Sequence, residues 1–100
     1  MRESSAAAGR YLAEVYTSRR ELSQVEARTE SLRAATAALA ASGIPIRHLQ
    51  VVFVPEEETC FHLFEAAGPE SVAQVLRQAG LEPERISEAF ESSAFRRGER

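Results

Sequence analysis

Cys60 and His62 stand two residues apart in the segment Thr59-Cys-Phe-His-Leu-Phe-Glu-Ala66, and they are the chain's only cysteine and one of its two histidines. On a strand, that spacing turns both side chains to one face of the sheet. A thiolate beside an imidazole supplies two donors for a soft or borderline transition metal. The same pair also offers a nucleophile and a general base that titrates near neutrality. His48 and Glu14 extend the set to two imidazoles, a thiol and a carboxylate, with Glu14 placed to orient His62. The ordinary readings compete at each position. His62 is then a hydrogen-bonded histidine at a dimer seam, Cys60 a buried small hydrophobe, and Glu14 the partner of an arginine.

These residues must be positioned by elements that the pattern makes legible. Arg10 to Thr17 carries Tyr11, Val15, Tyr16 and Thr17 and predicts a first strand. Ser18-Arg-Arg-Glu21 has the spacing of a capping box and opens a helix that runs to about Ser42. Leu22, Val25, Thr29, Leu32, Thr36 and Leu39 form its inner stripe. Gly43 and Pro45 stop it. Ile44 to Val54 is a β-branched second strand, Pro55-Glu-Glu-Glu58 a solvated turn, and Thr59 to Ala66 a third strand. Three adjacent carboxylates lack the spaced ligands and glycine of a calcium loop. Pro69 starts a second helix with Val72, Val75, Leu76 and Ala79 on its apolar side, and Gly80 closes it. Arg85 to Glu91 is a fourth strand.

The order β-α-β-β-α-β predicts an α+β, ferredoxin-like sandwich: a four-stranded antiparallel sheet, two helices on one face, and the first and third strands central. Residues 10–91 form this domain, with a lead-in at 1–9 and a polar tail at 92–100. Choosing the more apolar set of each strand puts Phe61/Leu63, Leu49/Val51/Phe53 and Tyr11/Ala13/Val15 under the helices. Glu14, Tyr16, His48, Gln50, Cys60, His62, Phe64 and Glu88 then fall on the open face. With Leu12, Val52, Val54 and Phe90 that face is apolar enough to meet a second copy, which predicts a homodimer enclosing a cavity between two sheets, a dimeric α/β barrel.

Composition narrows the function classes. The chain has 100 residues and a net charge of -3, and all twelve basic residues are arginine. There is no basic stripe for nucleic acid and no lysine for a Schiff base. No segment reaches the roughly 18 to 20 apolar residues of a membrane span. The start lacks the apolar core of a secretory signal, and a single cysteine fits a reducing cytoplasm.

Phe53-Val-Pro-Glu-Glu-Glu-Thr-Cys-Phe-His-Leu-Phe-Glu-Ala66, followed by Ala79-Gly-Leu-Glu-Pro-Glu-Arg-Ile86, resembles a family of short bacterial proteins described as nickel-binding or nickel-responsive, or as domains of unknown function. Arg10-Tyr-Leu-Ala-Glu-Val15 and Gly43-Ile-Pro-Ile-Arg47 are also similar. The resemblance implies a ferredoxin-like fold, homodimers and a nickel site with histidine ligands. Where that family carries a histidine late in the second strand, this chain has Val51 and apolar neighbours, and His48 is the nearest histidine.

Three functions follow as expectations. The first is a cytoplasmic homodimer that binds Ni2+ or another divalent transition metal through His62 and His48, assisted by Cys60 or Glu14. The second is a cofactor-free enzyme or small-molecule binder that uses the inter-sheet cavity, with His62 as base and Tyr16 or Glu14 positioning the substrate. The third is a structural dimerisation module.

Overall fold

The computed structural model describes residues 9–90. The predicted lead-in and tail lie outside this range, except for Gly9, which opens the first strand. The elements are β1 (Gly9–Tyr16), a 3-10 helix (Arg19–Gln24), α1 (Val25–Ala41), β2 (Ile46–Val54), a 3-10 turn (Pro55–Glu57), β3 (Thr59–Ala66), α2 (Pro69–Gln78) and β4 (Pro83–Ala89). The strands form one antiparallel sheet in the order β2-β3-β1-β4. The expected α+β, ferredoxin-like topology with β1 and β3 central is therefore what the chain adopts.

The first helix begins less directly than the capping pattern predicts. The Ser18 hydroxyl accepts from the Arg20 N–H at 3.1 Å, and the Glu21 carboxylate accepts from the Ser18 backbone as the capping box predicts. The same carboxylate also receives Arg28 Nη1 at 3.1 Å. The turn is 3-10 and kinks at Glu21 (φ -101°, ψ 17°) before the α-helix starts at Val25. The kink leaves Leu22 60% exposed, although periodicity assigns it to the inner stripe. At the other end of α1, Gly43 takes φ +105°, a conformation that favours glycine.

One face of the sheet is covered by both helices. Thr29, Leu32, Thr36 and Leu39 of α1 and Val72, Val75 and Leu76 of α2 are buried against it. The sheet contributes Ala13, Val15, Ile46, Cys60, Phe64 and Ala66 to the same core. Phe64, Leu32, Leu76, Val72 and Val75 are its largest fully buried side chains. Pro55, Glu56 and Glu57 are exposed, as expected for a solvated turn, and only Glu58 at its end is docked. Thr17 N–H donates to the Glu58 carbonyl at 2.8 Å, and the Glu58 carboxylate accepts from Arg19 N–H at 3.1 Å.

This distribution reverses the order in which the sequence alone ranks two substitutions, since Phe64 is buried and Leu22 exposed. Phe64→Ala empties the centre of the core and is expected to cost about 3–5 kcal/mol in urea unfolding. Leu22→Ala should stay within about 0.5 kcal/mol of wild type.

Candidate functional site

Cross-strand partners share a face, so the register decides which side chains meet. On the covered face the transverse rows run Phe53–Cys60–Val15–Pro83, then Val51–His62–Ala13–Ile86, then His48–Phe64–Tyr11–Glu88. On the open face they run Val52–Phe61–Glu14–Arg85 and Gln50–Leu63–Leu12–Ser87.

Four residues expected on the open face, His48, Cys60, His62 and Phe64, therefore lie on the helix side. Two separate causes produce this correction. On β3 the alternation holds, but its sense is reversed: the row containing the histidine faces inward, and Phe61 and Leu63 face out. On β2 the alternation itself breaks. The pairing shifts between His48 and Gln50, so that one residue of β3, Leu63, is opposed by two. This bulge lets Ile46 and His48 face inward on one side of it while Val51 and Phe53 face inward on the other. Glu88 also belongs to a helix-side row, where it is exposed near the end of β4. Glu14, Tyr16 and Gln50 are on the open face as expected, and Tyr11, Ala13, Val15, Val51 and Phe53 on the covered one.

The bulge brings the two histidines together. His48 Nε2 lies 3.1 Å from His62 Nδ1. His62 is 3% exposed, and its neighbour across β1 is Ala13, the smallest side chain available to a ring that must lie over the sheet. Phe64 meets His48 edge-on, with centroids 5.1 Å apart at 75°. One imidazole must donate and the other accept, and the surroundings choose between them. His48 Nδ1 is buried without a partner among the described residues. A proton there would be a buried donor left unsatisfied, whereas a bare lone pair costs less. His48 therefore carries its proton on Nε2 and donates to His62 Nδ1, and His62 carries its proton on Nε2.

Burial disfavours the charged form of both rings. It holds His62 down to about 4 from the ordinary 6.5, helped by its neighbour His48. It holds His48 down to about 4 as well, helped by the positive charge of Arg33. Cys60 is 4% exposed. Burial pushes its thiol up, against smaller opposing effects of a hydrogen bond with Thr17 and the charge of Arg28. A protonated buried thiol is neither a nucleophile nor a ready metal ligand.

His62 and Cys60 also line a small cavity of about 10 Å³ with Val15, Thr17, Val25, Arg28, Thr29 and Leu81. That is room for about one water. Sequence reasoning missed Arg28, Thr17, Thr29 and Leu81 as neighbours of the pair. The two threonines interrupting apolar stretches were the available signal. Glu14 lies on the opposite face, where its carboxylate accepts from Arg85 Nε at 3.1 Å. The four candidate ligands thus divide: His48 and His62 meet, Cys60 shares a cavity wall with His62, and Glu14 is separated from them by the sheet. No cluster of three or more His, Cys, Asp or Glu suited to a metal ion occurs among the described residues, and no helix among them is long and apolar enough to cross a membrane.

No protein-family model and no curated protein matches the chain. Among solved structures it is similar to the crystal structure of SCO4226 from Streptomyces coelicolor A3(2), with a TM-score of 0.70 and 18% identity over 83% of this chain and 98% of that one. At that identity the likeness establishes the fold.

The neutral pair gives the fold a pH dependence of defined sign. The folded pKa values of about 4 lie below the unfolded 6.5. The unfolded chain therefore binds more protons between these values, and stability falls as pH drops through that window. The contribution is complete above about pH 6.5 and is lost as pH falls toward 4. Urea unfolding from pH 8 to 4.5 should show a shallower pH dependence in a His48→Leu/His62→Leu double variant than in wild type. Parallel curves would remove the pair as the cause.

Proposed function

We propose that the protein binds a divalent transition metal through His48 Nε2 and His62 Nδ1, and that it does so as a homodimer joined through the open sheet faces. The observation that carries the metal reading is the 3.1 Å separation of these two nitrogens. Two imidazole nitrogens at about 2.1 Å from one ion and about 95° apart are separated by about 3.1 Å. The two nitrogens now share one proton along the line between them, so loading requires displacement of that proton and a turn of both rings that brings their lone pairs to one point. Two neutral nitrogens suit nickel, copper or zinc better than calcium or magnesium. The resemblance of the Phe53–Ala66 hairpin to nickel-binding proteins favours nickel among these. Cys60 and Glu14, offered by the sequence as assisting ligands, have no part in this two-nitrogen site.

A second reading has its own support: the pair is a structural hydrogen bond that closes the β2–β3 packing. The tautomer chosen by the unpartnered His48 Nδ1 favours it, because loading would carry a proton to that atom. The missing third donor among the described residues favours it too. The enzyme reading fares less well, since a cavity of about 10 Å³ beside His62 holds no organic substrate.

The dimer follows from what the open face presents. Its two acidic side chains are already paired, Glu14 with Arg85 at 3.1 Å and Glu65 with Arg47 at 2.9 Å. Leu12, Leu63, Phe61 and Val52 lie between these pairs in adjacent rows. A second copy of the same surface matches an apolar strip flanked by neutralised charge, and pairing would remove that strip from water.

Protein purified without a histidine tag should take up one Ni2+ per chain in calorimetric titration. His62→Ala and His48→Ala should each weaken binding at least tenfold. Undiminished binding in either variant removes that residue from the site. Wild-type protein that binds no nickel, copper or zinc, yet loses stability in both variants, establishes the structural reading instead. Light scattering should give twice the 11.0 kDa chain mass for wild type and the single mass for Leu63→Arg.

A further inference from the structure

A divalent ion at the two histidines would be short of donors and of negative charge. The pair offers two neutral nitrogens, and no cluster of three or more His, Cys, Asp or Glu suited to a metal ion occurs among the described residues. The two nearest acids by register are engaged elsewhere: Glu14 holds Arg85 and Glu65 holds Arg47, both on the open face. The charge that does act on His48 is positive and comes from Arg33. Arg33 is exposed on α1 and has no ion pair among the described residues.

Room for a ligand from solution lies beside His48. A groove of about 320 Å³ runs between α1 and β2, with Arg33, Ala37 and Ala40 on its helix side and Arg47 and His48 on its strand side. That volume falls at the lower end of small-molecule sites, ~300–1,000 Å³. Residues 33, 37 and 40 follow at four- and three-residue steps and share one face of the helix. After Arg33 that face carries only methyl groups, which leave the groove open. Arg47 is offset by Glu65 at 2.9 Å, so Arg33 gives the groove its unbalanced charge. A bare divalent cation is repelled there and an anion attracted. A guanidinium also fits a carboxylate through two parallel hydrogen bonds.

The proton on the pair favours the same kind of ligand. Loading displaces the proton shared between His48 Nε2 and His62 Nδ1. The other nitrogen of His48, Nδ1, has no partner among the described residues. A carboxylate seated against His48 would be the acceptor for a proton moved to that nitrogen.

We propose that the groove between α1 and β2 binds a small polycarboxylate together with the metal, so that the His48–His62 pair takes its ion as an anionic chelate. Carboxylate oxygens complete the coordination, and Arg33 pairs with a carboxylate that the metal leaves free. This rests on the metal reading above and names the chemical form of its cargo.

Citrate serves as the probe polycarboxylate. Equilibrium dialysis of untagged protein against Ni2+ and radiolabelled citrate should retain one of each per chain. Citrate retention should fall at least about tenfold when Ni2+ is omitted and in His62→Ala. Arg33→Gln and Ala37→Leu should each lower it at least about fivefold. Both positions are exposed, so the two variants should keep the wild-type urea midpoint. Ala37→Leu fills the groove without changing its charge, and its uptake of Ni2+ from a non-coordinating buffer should stay near wild type. Ni2+ that binds from that buffer but is stripped from the protein by citrate overturns the proposal and leaves the metal site standing. Citrate retained equally in wild type and both variants, or equally with and without Ni2+, does the same. Wild type that retains Ni2+ in neither form overturns the metal reading and the proposal with it.

Discussion

Two imidazoles lie on the helix-covered face of this sheet among mainly apolar side chains, and each depends on the other. Each ring supplies the partner for one nitrogen of the other, so removing either leaves a further ring nitrogen unsatisfied. Their 3.1 Å contact is the constraint that several neighbouring features serve. The bulge between His48 and Gln50 turns His48 inward. Ala13, fully buried, leaves the row beside His62 thin. Phe64 places its edge against the His48 ring. The same environment that holds the rings together keeps them neutral, so the pair presents nitrogen and no charge.

Placing the polar pair under the helices has a consequence on the other side of the sheet. Strand alternation ties the two faces together, and each residue turned inward sends its neighbours outward. With His62 and Phe64 inside, Phe61 and Leu63 must be outside. They stand beside Val52 and Leu12 with only self-paired charges around them. The buried site and the apolar open face are thus two results of one register, and a one-residue slip of β3 would exchange both together.

The topology was legible because it rests on local signals. The helical stripes of α1 and α2, the glycine stops at Gly43 and Gly80, Pro69 at the start of α2 and the β-branched runs all specify elements independently of tertiary contacts. The face assignments were not, for two physical reasons. Assigning the more apolar set of a strand to the core fails when a buried polar residue finds its partner on another strand, as His62 does on β2. Alternation also fails at a bulge, and nothing in Arg47-His-Leu-Gln-Val51 announces one. Glu14 and Tyr16 were placed correctly because β1 has neither complication. Glu58 alone of the Pro55–Glu58 turn departs from the solvated reading, because its contacts, to Thr17 and Arg19, are distant in sequence.

The separation of the four candidate ligands also narrows the chemistry. Glu14 spends its charge on Arg85 across the sheet, and Cys60 keeps its proton because burial raises its thiol. What remains is a donor set with no negative charge of its own, in a region where Arg33 acts on His48. A divalent ion there gains from nitrogen bonds and not from charge neutralisation. Such a site discriminates by ligand softness and bite and is poor at holding hard cations, however abundant.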